Sequence, residues 1–165
     1  MKEIIVGIHV ILIDDEDYER VLKYSWRIKV VKVKGGGRVV KYAQAHSPML
    51  NGKRVTIRMH RLILNAPTGV QVDHIDGNGL NNQKSNLRFA TSSENMQNSK
   101  AKAGAASKFK GVCWNKNESK WVVRIFVDGK RMCLGQYTDE AQAAKVYDKA
   151  AREFFGEFAC LNFND

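Results

Sequence analysis

The chain is poor in cysteine, and what it has is not arranged to carry structure. Cys113, Cys133 and Cys160 are scattered, with no Cys-x-x-Cys pair, so neither a disulfide framework nor a structural zinc knuckle is indicated. The fold must hold without cross-links. Long hydrophobic runs are missing too: the longest, Ile4 to Ile13, is interrupted by Gly7 and His9 and is about half of what spans a bilayer. Glu3 stands at its start and no small-x-small cleavage site follows, so neither a transmembrane helix nor a signal peptide is expected and the protein is placed inside the cell, with no membrane partner. No repeat recurs at a fixed period, and no segment is of low complexity beyond one short linker.

Acidic charge is the other scarcity. Lys plus Arg number 27 against 17 for Asp plus Glu, giving a net charge of +10 and a pI near 9.6. Such a balance favours polyanionic partners, nucleic acid first among them, although charge alone names no chemistry. Exposed aromatic platforms of the kind single-strand readers use are absent outside Trp114 and Trp121, which makes a general RNA binder the least supported of the nucleic-acid readings. With 165 residues, 44% of them hydrophobic, the chain has enough apolar material for one ordinary core or two small ones.

The pattern along the chain favours two units in series, in an α+β fold. Residues 3–13 read as a strand, and Asp14-Asp15-Glu16-Asp17 as the acid-rich start of a short helix through Leu22. A metal site in those acids is disfavoured, because four consecutive side chains on a helix point in different directions. Residues 26–33 and 38–44 flank Gly35-Gly36-Gly37 as a hairpin, and 54–57 reads as a further strand. Small residues make 101–107 a linker. Beyond it, residues 111–114, 121–127 and 131–134 predict a three-stranded antiparallel sheet with an Asp128-Gly129 turn. Thr138 then reads as the cap of a helix that buries Ala141, Ala144, Tyr147, Ala151 and Phe154 and stops at Gly156. The expected division is a β-rich region 1–57, a core 58–100, the linker 101–107 and a C-terminal domain 108–165.

The stretch with least explanation in core building is Val70-Gln-Val-Asp73-His74-Ile-Asp76-Gly77-Asn78, followed by Asn81, Asn82, Asn86, Leu87-Arg88 and Thr91-Ser-Ser-Glu94-Asn95. Any one of the Asn or Asp residues alone is an ordinary turn former. Together they read as a strand ending in Asp-His, a turn-rich loop, a return strand at 87–90 and a helix opened by the capping box Thr91-x-x-Glu94. This ββα unit, over roughly residues 58–98, resembles the metal-binding core of HNH endonucleases, in the variant of phage and intron homing enzymes whose last histidine is an asparagine. The resemblance implies that His74 is the general base and Asn86 the catalytic-loop brace. It also implies that Asp73 and Asn95 hold one divalent cation per site.

These oxygen donors suit Mg²⁺ or Mn²⁺ completed by water and phosphate. An imidazole of unperturbed pKa near ~6.5 accepts a proton from water at neutral pH, so acid should slow such an enzyme. Adjacent strand residues point to opposite faces, so Asp73 and His74 converge on one phosphate only if the strand bends or ends there. His60 resembles a position common in these nucleases, with packing beneath the loop as its alternative. Arg58, Arg61 and Arg88 flank the unit as candidate phosphate clamps.

The C-terminal segments Lys108-Phe-Lys-Gly-Val-Cys-Trp114, Lys120-Trp-Val-Val-Arg124-Ile and Lys130-Arg-Met-Cys-Leu-Gly135, with the Ala-rich helix closing on Leu161-Asn162-Phe163, resemble the APETALA/ethylene-response-factor DNA-binding domain. That resemblance implies a sheet reading the major groove and a helix supporting it from behind. Residues 101–134 carry eight basic and two acidic side chains, residues 135–165 three basic and six acidic, so the positive face belongs to the sheet. Lys110, Trp114, Lys116, Arg124 and Arg131 are the expected contacts. Cys113, Cys133 and Arg124 depart from the plant pattern, so its preferred site does not transfer.

The expectation is a metal-dependent endonuclease acting on double-stranded DNA, in a bacterial or phage-infected cell. The sequence leaves open monomer or homodimer, and nicking or double-strand cutting. The rival is a non-catalytic DNA-binding regulator that keeps the ββα unit as scaffold.

Overall fold

A computed structural model of the chain describes residues 1–32, 39–49, 54–101 and 104–163. The apolar run at the N-terminus is two strands rather than one: β1 (Lys2–Val6) and β2 (His9–Ile13) pair antiparallel, with Ile5 opposite Val10. The turn is at Gly7, whose φ of 62° lies where side-chain-bearing residues are disfavoured. The acids after it form a 3-10 turn, Asp15–Asp17, leading into α1 (Tyr18–Val21). The acids fill the first turn of this short helical segment, as expected of an acid-rich start, although neither start has a side-chain cap hydrogen bond. Asp14 instead accepts from the Lys84 backbone N–H at 2.7 Å and from the Gln83 amide at 3.3 Å. The Lys84 ammonium reaches Glu16, and Asp17 at 3.2 Å.

Strands β3 (Arg27–Lys32), β4 (Val39–His46) and β5 (Thr56–Arg58) form a second antiparallel sheet in the order β3-β4-β5. The glycine turn expected between β3 and β4 lies outside the described residues. Helix α2 (Met59–Ile63) follows β5 without a break; the sequence reading missed it. A third sheet pairs β6 (Gln71–His74) with β7 (Leu87–Ala90), which is followed by α3 (Ser92–Gln97). Ile11, Ile13, Val21, Ala43, Met59, Ile63, Leu80 and Leu87 make the core of this first unit.

The chain divides into two compact units at Ser92/Ser93, ahead of the 101–107 stretch read as a linker. Around that stretch the Lys110 ammonium donates to the Gln97 carbonyl of α3, and Ser107 is fully buried with its hydroxyl accepting from the Phe109 N–H. In the second unit, β8 (Val112–Asn115), β9 (Lys120–Val127) and β10 (Lys130–Tyr137) form an antiparallel sheet with β9 central. Helix α4 (Glu140–Phe155) packs on it through Ala143, Ala144, Tyr147, Ala151 and Phe155 against Val112, Val123 and Ile125.

Two expectations about α4 are corrected. Its cap is Asp139, whose carboxylate accepts from the Gln142 N–H at 2.6 Å, not Thr138. Phe155 rather than Phe154 enters the core, because the helical repeat carries the stripe from Ala144 through Tyr147 and Ala151 to 155. The C-terminal tail is tied down by buried Asp148, which accepts from the Asn162 N–H (2.8 Å), the Asn162 amide (2.9 Å) and the Phe163 N–H (2.9 Å). Removing a buried acceptor strands its donors. Asp148→Ala is therefore expected to destabilise the second unit by about 3 kcal/mol in urea unfolding. A change below about 1 kcal/mol would mean the tail is held by its apolar contacts alone.

Candidate active site

Strand β6 ends on two consecutive buried polar residues, Asp73 and His74, which sit opposite Arg88 and Leu87 of β7. Asp73 Oδ2 accepts from both Arg88 Nε (3.0 Å) and Nη2 (2.9 Å). The pair is almost dry, with side-chain exposures of 10% for Arg88 and 7% for Asp73, so removing either partner would leave the other as a buried charge. Arg88, expected to clamp phosphate, is in the structure the partner of Asp73.

His74 ends the strand, and the Gly77 N–H closes the turn on its carbonyl at 2.8 Å. Its ring meets three side chains from distant parts of the first unit. Nε2 lies 3.4 Å from Oδ1 of fully buried Asn82. The His60 ring, from α2, is edge-on at 5.1 Å between centroids, and the Tyr42 ring, from β4, is at 6.0 Å. Tyr42 also meets His60, at 5.7 Å. Gly79 makes room for this cluster: a Cβ there would lie 2.3 Å from the Lys41 carbonyl oxygen and 2.7 Å from Tyr42 Cδ1.

Burial lowers the His74 pKa from its ordinary value, against the opposing pull of the Asn82 hydrogen bond and of Asp76 and Asp73. His60 is pushed much further, to about 3, first by burial and then by His74, Arg58 and Arg61. Both rings are therefore neutral at neutral pH. In the tautomer whose Nε2–H is donated to Asn82, His74 keeps a basic lone pair on Nδ1.

The loop between β6 and β7 is held by its own side chains. Asp76 Oδ1 accepts from the Asn78 N–H (2.7 Å) and Oδ2 from the Asn81 amide (2.9 Å). Asn86 closes the loop: its Oδ1 accepts from the Asp76 N–H (3.0 Å), and its Nδ2 donates to Asp76 Oδ1 (3.0 Å) and the Asn81 carbonyl (2.8 Å). These bonds occupy the amide on the loop itself.

A segment with this geometry matches a known family. The HNH endonuclease profile covers residues 59–97. Protein 3.8 of Escherichia phage T7 is 36% identical over 93 residues, which are 56% of this chain and 76% of the phage protein. The chain belongs to the HNH endonuclease family. An uncharacterized HNH endonuclease of Acanthamoeba polyphaga mimivirus is also 36% identical, over 112 residues that are 64% of this chain; the match spans 57% of the viral protein's length. An AP2/ERF and B3 domain-containing transcription repressor of Arabidopsis thaliana is 37% identical over 71 residues, 43% of this chain and 19% of the plant protein.

HNH nucleases generally use a divalent ion. No cluster of three or more His, Cys, Asp or Glu side chains able to hold a metal occurs among the described residues.

Other expected contacts fall as follows. Arg61 is a clamp for the chain itself, donating to the carbonyls of Val70, Pro67 (2.7 Å) and Ala66 (3.3 Å). Arg58 is exposed on β5 opposite Gln44, which is opposite Arg27 on β3. In the second unit, Lys116, Arg124 and Arg131 are exposed. Trp114 is set apart from Arg124 and Arg131: it shares the pleat side of core residue Val112, and its ring meets Trp121 at 4.7 Å. Lys110 is half-buried rather than free on the sheet face. Tyr42 carries no local motif that marks it as a site residue, and Asn82 stands among the loop asparagines of the sequence with no role of its own; the closeness of Gly79 to β4 and the return of the loop to β2 bring them to His74.

The low His60 pKa makes the fold acid-sensitive. Between about 3 and 6.5 the unfolded chain binds a proton that the folded chain refuses, so stability present above 6.5 is lost as pH falls through that window. His74, shifted the same way, adds to the loss. The urea midpoint should drop steadily below pH 6.5, and His60→Phe should flatten most of that drop; an unchanged pH profile in the variant would remove His60 as its source. Gly79→Ala, by forcing Tyr42 away, should cost about 2 kcal/mol of stability or more, readable in the same titration.

Proposed function

We propose that this chain is a divalent-metal-dependent DNA endonuclease in which His74 is the general base. The observation that carries the reading is His74 itself: a buried, neutral imidazole, tied at Nε2 to Asn82, beside the Asp73–Arg88 pair in the segment with HNH likeness. His74 Nδ1 takes a proton from the attacking water. Asn82 orients the ring, and Asn86 holds the turn that places it. Asp73, with Asn95 as the family resemblance implies, would hold Mg²⁺ or Mn²⁺, which supplies charge neutralisation at the phosphate when bound. Products with 5′-phosphate ends follow from the same resemblance.

Duplex DNA is the proposed substrate, and the first unit offers a face for it. From residue 20 to 72 the chain has no Asp or Glu and twelve Lys or Arg. Arg27, Gln44 and Arg58 form one row across β3-β4-β5, and Tyr42, on the same pleat face, reaches His74. Phosphate contacts along this row would lead the strand toward the base. The exposed sheet face of the second unit, with Arg124 and Arg131 around Phe126, is the proposed sequence reader; the partial likeness to plant AP2/ERF proteins supports it. A homing or phage role fits the viral relatives.

The test is supercoiled plasmid incubated with wild type and His74→Ala, with Mg²⁺ or Mn²⁺ and with EDTA, alongside melting and DNA binding of both proteins. Cleavage that needs metal and falls by about 10³-fold in a folded, DNA-binding variant supports the reading. Nicked against linear product decides between single- and double-strand cutting. Binding without cleavage in the wild type on several DNAs would favour the regulator instead, a reading the plant likeness keeps open. The acid limb of the cleavage rate should lie below 6.5, the ordinary histidine value, because His74 is shifted downward.

A further inference from the structure

The second unit contains a cavity of about 300 Å³ that the nuclease reading does not use. Lys100, Lys108 and Lys110 line it, with Phe109, Cys160 and Asn162, and no carboxylate is among its lining residues. Its floor is rigid. The Lys110 N–H donates to Asn162 Oδ1 at 2.6 Å, the Asn162 amide donates back to the Lys110 carbonyl at 3.1 Å, and buried Asp148 anchors Asn162 in turn.

The cavity has an unmet charge. The Lys110 ammonium is withdrawn from water, which lowers its pKa, and the hydrogen bond it makes is to a neutral carbonyl, that of Gln97. Lys110 appears in no ion pair among the described residues. A desolvated cation with only a neutral acceptor gains from an anion. Lys100 and Lys108 are exposed at the same cavity and raise its positive potential. The volume is ample for a tetrahedral oxyanion, and three lysines at one cavity bring positive charge to its several acceptor oxygens.

We infer that the cavity lined by Lys100, Lys108 and Lys110 is a phosphate-binding site. A DNA backbone phosphate and free inorganic phosphate present the same chemistry to it. The first source rests on the duplex-DNA reading above, and the second does not.

Cys160, in the wall of the cavity, is a built-in reporter. With Cys113→Ser and Cys133→Ser in the full-length chain, Cys160 is the single thiol. Its rate of reaction with a disulfide reagent is measured alone, with a short duplex in EDTA, and with inorganic phosphate against chloride at equal ionic strength. The same series is run on that chain carrying Lys100→Glu and Lys108→Glu. Several-fold protection by duplex that disappears in the charge-reversed chain assigns the site to a backbone phosphate. The slope of log K against log salt for duplex binding should then also fall by about one to two. Protection by inorganic phosphate, again lost on charge reversal, assigns it to the free anion. No protection by either, or equal protection by duplex in both chains, overturns the proposal. Because EDTA is present and no cleavage is read, a failed nuclease assay leaves this result standing, and the reverse also holds.

Discussion

The environment of His74 depends on one backbone contact, the grip of β2 on the polar loop. Leu12 donates its N–H to the Leu80 carbonyl at 2.9 Å and accepts from the Asn82 N–H at 2.8 Å. These two bonds seat Leu80 in the apolar core and carry Asn82 into full burial, where its side chain meets His74. Asp14, one residue past β2, repeats the grip on Lys84 and Gln83. The N-terminal hairpin is therefore part of the site's frame, although none of its residues has a place in the chemistry.

That frame keeps polar groups in a dry place at some cost. His60 Nδ1 and Asn82 Nδ2 are buried without hydrogen-bond partners, each a loss of about 1–3 kcal/mol. A core built for stability alone would put apolar side chains at both positions. What the arrangement achieves is two imidazoles kept neutral by burial and packed against Tyr42 and each other. The Asp73–Arg88 pair follows the same logic, since a buried carboxylate needs a partner that holds its position.

The intramolecular partners of several expected contact residues were not legible in the sequence. Arg61 and Arg88 were expected at phosphates and Lys110 on the groove-facing sheet, and a basic side chain near a nucleic-acid motif carries no local mark of its partner within the chain. The structure gives Arg61 three carbonyls, Arg88 a carboxylate and Lys110 the end of α3. For Trp114, spacing placed it on the sheet, and the pleat decided which side it occupies. Elements with strong local signals were legible, such as the strands around Asp128-Gly129 and the end of α4 at Gly156. Gly7, inside an apolar run, marked a hairpin that composition alone hid.

By itself the sequence determined the local chemistry: an excess of positive charge, an Asp-His pair at a strand end, and a loop whose Asn and Asp side chains bond to backbone two to ten residues away. Those interactions are short-range, so spacing suffices to read them. Only the tertiary structure decided what surrounds His74, because Tyr42, His60 and Asn82 come from a strand, a helix and a loop that meet through burial and register. It also decided which cations are free for a partner and which hold the chain together, because the partner of a long charged side chain is set by whatever packs beside it and not by its neighbours in sequence.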